Sequence, residues 1–207
     1  MVAKNSFTIP SMGGERLAKF FKYHASKAPD GSALVELGTW LGSGTLPLIQ
    51  GVASSARDVE VHSYDDFVIR GNEVDKAALY GVSLKDGQDS LPLVKKWLSG
   101  YKVKLHLHKG EITETKWNKR PIYMYIDDAC KYKDNFLKAL RIFSPYWIPG
   151  QALIVLMDFF FYLKRPQDEG LKFQKEFMDS HADNFKCIYE NQGICTAIFR
   201  YQGGLKI

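Results

Sequence analysis

The chain has 207 residues, a formal net charge of +5, 45% hydrophobic residues and 25% charged residues. This length and balance are typical of one folded domain with a substantial core, and they exclude a disordered chain. The positive charge is not gathered into a dense Lys/Arg block, which argues against a nucleic-acid partner.

The N-terminal stretch "MVAKNSFTIPSMGGERL" lacks the apolar core of a secretory signal, and the longest apolar run, around "ALIVLMDFFFYL", is too short to span a bilayer. Cys130, Cys187 and Cys195 are odd in number and show no CxxC spacing, which favours free thiols. A bridge between Cys187 and Cys195 across a hairpin stays open. We therefore expect a cytoplasmic protein without a membrane segment.

Helical and strand patterns alternate through the first half of the chain. The spacing of apolar residues in "GERLAKFFKYHASKA" predicts an amphipathic N-terminal helix. A buried strand, "ALVELG", follows, and then a helix, "TLPLIQGVASSA", in which Thr45 would be the cap and Pro47 would lie in the first turn. The strand "VEVHSYD" and the helices "NEVDKAALYG" and "DSLPLVKKWLSG" continue the alternation.

The second half continues this alternation and then breaks it. The strands "VKLHLH", "IYMYID" and "ALIVLMD" alternate with the helices "KDNFLKALRIF" and "DEGLKFQKEFMDSH". Only "NQG" separates the last two strands, "FKCIYE" and "ICTAIFRYQ", so they form an antiparallel hairpin. We predict an α/β, Rossmann-like fold: a seven-stranded, mostly parallel sheet with helices on both faces and a C-terminal antiparallel hairpin.

A glycine-rich turn, "GTWLGSG", follows the first predicted strand. Ligands of open α/β sheets bind at the carboxyl ends of strands, and glycines let the backbone approach them closely. The spacing Gly38-xxx-Gly42-x-Gly44 matches neither the GxGxxG fingerprint of dinucleotide-binding proteins nor a Walker A loop. Glu36, just before the turn, suits a ligand with a cationic end, although a helix-capping or ion-pairing role stays open.

The stretch "VELGTWLGSGT" resembles the first motif of class I S-adenosylmethionine-dependent methyltransferases. In that family the second strand ends in an acidic residue that holds the ribose hydroxyls, which corresponds to Asp65 here, with Asp66 as a substitute and Phe67 against the adenine; a simple capping role for Asp65 stays open. The polar turn "HKGEITE" and the acidic end of the fourth strand in "YIDDACKY" also match. The residues that the resemblance assigns to cofactor binding are Glu36, Gly38, Thr39, Trp40, Gly42, Gly44, Thr45, Asp65, Asp66, Phe67, Gly110, Glu111 and Asp127.

The resemblance covers about residues 30–201, the core of a single methyltransferase-like domain spanning 1–207, with an N-terminal extension and helix in 1–29. It implies S-adenosyl-L-methionine as the cofactor and a small molecule as the methyl acceptor.

The segment "YIDDACKYKDN" is similar to one in small metal-dependent O-methyltransferases of the catechol and caffeoyl-coenzyme A type. There an aspartate at the strand end binds a divalent cation, and a lysine three residues later acts as the base. The resemblance implies these roles for Asp128, or for Asp127 in the alternative register, and for Lys131, with Asp158 as the second metal aspartate. Phe159 stands where the family has asparagine, so a divalent metal is doubtful and no metal ligand is assigned. Lys131 as a salt-bridge partner and Asp158 as a strand-end cap stay open.

Two further groups of side chains carry alternatives. The aromatic segment "DFFFYLKRP" (158–166) fits an acceptor surface, a homodimer interface or packing under the N-terminal helix, and Lys164 and Arg165 could meet an acidic group of the acceptor. His106 and His108 share one face of a strand, and without a third ligand they are interpreted as structural.

The sequence thus predicts an S-adenosylmethionine-dependent methyltransferase that acts on oxygen of a small molecule, with Asp128, Lys131 and Asp158 as the catalytic residues. A non-catalytic binding or assembly protein of the same fold is the alternative, because the missing asparagine and the unsettled base leave catalysis open. A nicotinamide oxidoreductase is disfavoured by the glycine spacing and the terminal hairpin. RNA methylation is disfavoured because the chain shows no basic extension.

Overall fold

The computed structural model describes residues 9–10 and 14–207, so most of the predicted N-terminal extension lies outside the described residues. A seven-stranded sheet runs through the molecule in the order β3-β2-β1-β4-β5-β7-β6. Neighbouring strands are parallel except at β7, which is antiparallel to both β5 and β6. The strands are β1 (Ala33–Leu37), β2 (Glu60–Asp65), β3 (Lys104–Lys109), β4 (Ile122–Asp127), β5 (Leu153–Leu156), β6 (Phe185–Asn191) and β7 (Thr196–Tyr201). The predicted fold class, including the reversed last strand, is confirmed.

Six α-helices accompany the sheet within the described part of the chain. They are α1 (Gly14–Ala25), α2 (Thr45–Ser55), α3 (Gly71–Ala78), α4 (Leu91–Leu98), α5 (Lys133–Phe143) and α6 (Phe173–Ser180). The prediction that Thr45 caps α2 was wrong: Gly44 is the cap residue, and the Thr45 hydroxyl donates instead to the Glu36 carboxylate. No helix among residues 9–10 and 14–207 is both long and apolar enough to cross a membrane.

The strands bury side chains on both faces of the sheet, because alternate residues of a strand point to opposite faces. Leu34 and Ile126 belong to the cluster that contains apolar residues of α1 and α2. Val35 and Tyr125 belong to the cluster on the other face, which contains residues of α5 and α6. At the central strands this double covering leaves the ends, rather than the faces, accessible to a ligand, whereas the edge strand β3 has no fully buried residue.

Helices α1 and α2 approach each other closely at Gly51. A Cβ atom at Gly51 would lie 2.3 Å from the carbonyl oxygen of Lys22 and 2.7 Å from the Cβ of Ala25. The close contact holds α1 against the helix that follows the glycine turn.

We expect Gly51→Ala to lower the free energy of unfolding by about 3 kcal/mol, because the clash outweighs the better helix propensity of alanine. Gly71→Ala is the matched control, since a Cβ there meets no atom within 4 Å. It should change the free energy by less than about 1 kcal/mol. Urea unfolding followed by circular dichroism measures both values, and equal stability of the two variants would contradict the close contact.

Candidate functional site

A cleft of about 680 Å³ lies at the carboxyl ends of the parallel strands. Residues that follow β1, β2, β3, β4 and β5 all border it, and this volume is within the usual range for small-molecule sites. A narrower recess of about 30 Å³ shares four residues with the cleft and extends beneath α1. The shared residues are Gly38, Trp40, Asp128 and Met157.

Each glycine of the turn after β1 meets a different neighbour. Gly38 has φ +87°, and a Cβ there would lie 3.1 Å from the carbonyl carbon of Asp128. A Cβ at Gly44 would lie 2.1 Å from Oε1 of Glu36. Gly42 also has φ +87°, but a Cβ there would meet the side chain of Leu98 in α4 at 3.2 Å. Gly38 and Gly44 therefore keep the recess open, whereas Gly42 packs the turn against α4.

Glu36 lies almost fully buried at the wall of the recess. Burial raises the pKa of its carboxyl group to about 7, although hydrogen bonds from Thr45 and Ser63 oppose this shift. Its hydrogen bonds within the protein show that it neither caps a helix nor forms a surface ion pair. Instead, it is a titratable group beneath the glycine turn.

Asp65 joins the end of β2 to the glycine turn. Its Oδ2 accepts a hydrogen bond of 2.8 Å from the backbone N–H of Trp40, and its Oδ1 accepts one of 2.6 Å from the N–H of Phe67. Burial raises the pKa of Asp65, and these two backbone hydrogen bonds oppose that shift. Nearby, the Thr39 hydroxyl donates to the carbonyl of Tyr64 at 3.4 Å. The turn and the end of β2 thus form one hydrogen-bonded unit at the cleft.

Trp40 combines two unusual features in this unit. Its φ is +46°, a conformation that costs energy for a bulky side chain. Its indole N–H is buried and has no hydrogen-bond partner among the described residues. Because Trp40 borders both the cleft and the recess, these two costs are concentrated at the point where a bound ligand would contact the turn.

Of the residues predicted to lie near the adenosine, Asp66, Gly110 and Glu111 border the cleft and Phe67 does not. Asp66 borders the cleft and forms an ion pair with Arg70, while Gly110 and Glu111 border it from the turn after β3. Phe67 is 1% exposed and packs in the core beside α1 and α2. The prediction that its ring faces the adenine was wrong, because the ring is buried in the core. Phe67 is connected to the site only by its backbone N–H, which donates a hydrogen bond to Asp65.

Asp127 lies inside the protein rather than in the cleft. Its Oδ1 accepts hydrogen bonds from the N–H groups of Ala129 and Cys130, at 3.1 and 2.7 Å, and its Oδ2 accepts one of 3.2 Å from the Tyr125 hydroxyl. Burial raises the pKa of this carboxyl group. Asp127 therefore shapes the turn after β4, and Asp128 is the aspartate that this turn presents to the cleft.

Asp128, Lys131 and Asp158, to which the resemblance assigns catalytic roles, all border the cleft. Nζ of Lys131 lies 2.5 Å from Oδ2 of Asp158 and 3.4 Å from the carbonyl oxygen of Asp128. Burial alone would lower the pKa of Lys131, but the charge and hydrogen bond of Asp158 outweigh it and raise the pKa. Burial, and then the charge of Asp158, raise the pKa of Asp128 well above its usual range. Lys131 is thus a salt-bridge partner rather than a ready base.

These residues do not fit a divalent metal site as they stand. The Lys131 ammonium group occupies the position beside Asp158 that a cation between the two aspartates would need. One group of side chains among the described residues has its ligating atoms close enough for a metal ion, and it lies elsewhere, at Glu60, His62 and His106.

The aromatic segment after β5 divides between the core and the cleft. Phe159 and Phe160 are buried, and the Phe159 ring packs against Phe199 of β7 with centroids 5.3 Å apart. This packing is on the face opposite α1, so Phe159 and Phe160 do not follow the alternative of packing under the N-terminal helix. Phe161 borders the cleft, and Arg165 lies over its ring at 5.3 Å.

Sequence reasoning missed the contribution of the C-terminal hairpin. Its turn brings Gly193, Ile194 and Cys195 to the cleft beside the segment after β5, where the N–H of Phe160 donates to the carbonyl of Cys195 at 3.2 Å. Cys187 lies opposite Phe199 in the hairpin, so it does not face Cys195, and both thiols are free. The sequence indicates which residues form the hairpin turn, but no local pattern indicates which part of the fold that turn will contact.

Solved structures similar to this one identify the fold as that of class I S-adenosylmethionine-dependent methyltransferases. The O-methyltransferase NovP matches with a TM-score of 0.63 at 15% identity, over 91% of this chain and 78% of NovP. The calicheamicin methyltransferase CalS11 matches with a TM-score of 0.62 at 14% identity, over 90% of this chain and 77% of CalS11. The S-adenosylhomocysteine-bound methyltransferase PaMTH1 of Podospora anserina matches with a TM-score of 0.58 at 13% identity, over 93% of this chain and 81% of PaMTH1. Neither a protein-family model nor a curated protein sequence matches the chain.

The burial of Glu36 predicts a pH-dependent cost to stability. The folded protein keeps the Glu36 proton up to a pKa of about 7, whereas the unfolded chain releases it near 4.5. The unfolded state is therefore increasingly favoured as the pH rises from 4.5 to 7, by up to roughly 3 kcal/mol. Glu36→Gln removes this titration, so the stability of the variant relative to the wild type should rise by that amount. Urea unfolding at pH 4.5, 5.5, 6.5 and 7.5 measures it, and a pH-independent difference would contradict the assignment.

Proposed function

We propose that this protein is an S-adenosylmethionine-dependent methyltransferase that transfers a methyl group to an oxygen atom of a small molecule. One observation carries the proposal: the hydrogen bond from Trp40 to Asp65 joins the glycine turn to the end of β2, in the same cleft as Asp128, Lys131 and Asp158. The names of NovP and CalS11 support methyl transfer, and the name of NovP supports oxygen as its target.

The lining of the cleft and recess fits the cofactor. The recess, with Glu36, Gly38 and Gly44 at its wall, suits a narrow chain that carries an ammonium group. Asp65 has carboxylate lone pairs beyond its two backbone hydrogen bonds and suits a ribose diol. When bound, the cofactor supplies an electrophilic methyl group on a positively charged sulfur. The adenine would then lie near Asp66, Gly110 and Glu111, which border the outer part of the cleft.

The acceptor would lie between the segment after β5 and the turn of the hairpin. Met157, Phe161 and Ile194 offer it apolar surface, and positioning beside the methyl donor would supply much of the rate acceleration. The Lys131 ammonium group is held by Asp158 and attracts the acceptor oxygen as negative charge develops on it. Asp128 borders the cleft next to Lys131, and its carboxylate form is the group placed to accept the hydroxyl proton.

We expect the protein to bind one S-adenosylhomocysteine per chain in a calorimetric titration, and we expect Asp65→Asn to weaken this binding by at least about tenfold. Asparagine keeps an oxygen acceptor for the turn but loses the charge, so circular dichroism should show an intact fold. Asp183→Asn, at an exposed position away from the cleft, is the control and should bind as the wild type does. Binding of NAD⁺ in place of S-adenosylhomocysteine would contradict the proposal.

Lys131→Met should lower kcat for methyl transfer by about 100-fold and leave S-adenosylhomocysteine affinity within about twofold. The assay follows S-adenosylhomocysteine release with a panel of phenols, sugars and carboxylates, and uses the first acceptor that the wild type methylates. Lys138→Met, at an exposed position in α5, is the control. Wild-type turnover by Lys131→Met would exclude the role of Lys131. Binding of S-adenosylhomocysteine without methylation of any acceptor would support the non-catalytic alternative.

A further inference from the structure

A second cluster of polar side chains lies on the sheet away from the cleft. Glu60 begins β2, whereas Asp65, at the cleft, ends it. The parallel register of β2 and β3 places His62 beside His106 and Tyr64 beside His108. The side chains of Glu60, His62 and Tyr64 share one face of β2 with those of His106 and His108 on β3, because alternate residues of a strand share a face. The sequence showed His106 and His108 as a pair without a third ligand, and the register brings His62 and Glu60 of β2 to the same face as His106.

The ligating atoms of Glu60, His62 and His106 are almost as close together as the ligands of a bound metal ion. Nε2 of His62 lies 3.1 Å from Oε2 of Glu60, and Nε2 of His106 lies 3.8 Å from the same oxygen. One ligating atom from each of the three residues lies within 4.8 Å of the others. Ligand atoms around a tetrahedral Zn²⁺ ion are about 3.3 Å apart, given metal–ligand bonds of about 2.0–2.1 Å.

We propose that Glu60, His62 and His106 bind a divalent transition-metal ion, with Zn²⁺ as the natural occupant, and that this ion joins the edge strand β3 to β2. Two imidazoles and one carboxylate are a ligand set that suits Zn²⁺, and a water molecule would complete the coordination. The site is distinct from the cleft, so it does not depend on the proposed methyltransferase activity.

His108 contacts the nitrogen of His62 that faces away from Glu60. Nδ1 of His62 lies 3.0 Å from Nε2 of His108, and the two rings are stacked with an angle of 8° between them. A histidine that binds a metal through one nitrogen usually donates its other N–H to a neighbouring acceptor, which sets the tautomer. His62 can bind the metal through Nε2 and donate from Nδ1 to His108.

The ion pairs around Glu60 leave one of its carboxylate oxygens available to bind a metal ion. Arg120 donates to Oε1 of Glu60, so Oε2 is the oxygen that faces the histidines. Arg120 and Lys104 both form ion pairs with Asp58, which offsets part of their repulsion of a metal ion. The Arg120 hydrogen bond also fixes the carboxylate, as an outer partner of a metal ligand commonly does.

His106 is the ligand that must move. The rings of His62 and His106 are stacked, with centroids 4.4 Å apart and 17° between their planes, so both lone pairs cannot reach one ion without rotation. The His106 side chain is 45% exposed, which leaves it free to turn, whereas His62 is buried. Binding would therefore fix an exposed side chain on the edge strand.

Calorimetric titration of the wild-type protein with ZnCl₂ in a non-chelating buffer tests the proposal. We expect one Zn²⁺ per chain with micromolar or tighter affinity, and His106→Asn should weaken it by at least about 30-fold. His106 is exposed, so this variant should fold, whereas replacement of the buried His62 could unfold the chain. His181→Asn is the matched control, because it removes a histidine that directly follows α6 and is not part of the cluster. It should retain Zn²⁺ affinity within about twofold.

Thermal unfolding gives a second readout. A Zn²⁺ concentration about 100 times the Kd should raise the Tm of the wild type and of His181→Asn by about 5 °C, and it should not raise the Tm of His106→Asn. Absence of stoichiometric binding to the wild type would overturn the proposal. So would equal Zn²⁺ affinity of His106→Asn and the wild type, which would assign the metal to other groups such as the cleft carboxylates or Cys187.

Discussion

The hydrogen bond from the Trp40 backbone N–H to Asp65 is the contact on which the rest of the site depends. It crosses from the glycine turn after β1 to the end of β2, and it holds Trp40 in a positive-φ conformation. The close approach of Gly38 to Asp128 and of Gly44 to Glu36 then sets the walls of the recess. The positive φ of Trp40 and its indole N–H, which has no partner among the described residues, are both found at this site.

At the part of the cleft that follows β4 and β5, a lysine supplies the positive charge beside Asp158. The ion pair between Lys131 and Asp158 raises the pKa of the lysine, and the nearby Asp128 has its own pKa raised by burial and by Asp158. In the proposed function, the Lys131 ammonium group attracts the hydroxyl oxygen of the acceptor and the Asp128 carboxylate accepts its proton. Under the proposed function no metal ligand is needed at Phe159, which is buried and stands where the resemblance to metal-dependent O-methyltransferases leads one to expect asparagine.

The sequence predicted the order of elements well because hydrophobic periodicity and capping are local signals. Helix α5 begins and ends where its pattern does, and the short connection between the last two strands, four residues in the structure, required the reversed strand. The glycine turn and the acidic residues at the strand ends could be placed at one edge of the sheet, because the carboxyl ends of parallel strands lie at the same edge. Side-chain direction could not be predicted locally: Phe67 turns into the core, and Thr45 bonds to Glu36 rather than capping its helix. The register that brings His62 to His106 and the hairpin turn that reaches the cleft are likewise products of tertiary packing.

The most direct test of the account is the electron density of a crystal grown with S-adenosylhomocysteine. We expect the ribose hydroxyls within about 3 Å of the Asp65 carboxylate and the sulfur facing Asp128 and Lys131, with the amino-acid tail in the recess beside Gly38 and Gly44. Density for the ligand outside this cleft, or a cleft that stays empty at saturating ligand, would contradict the account.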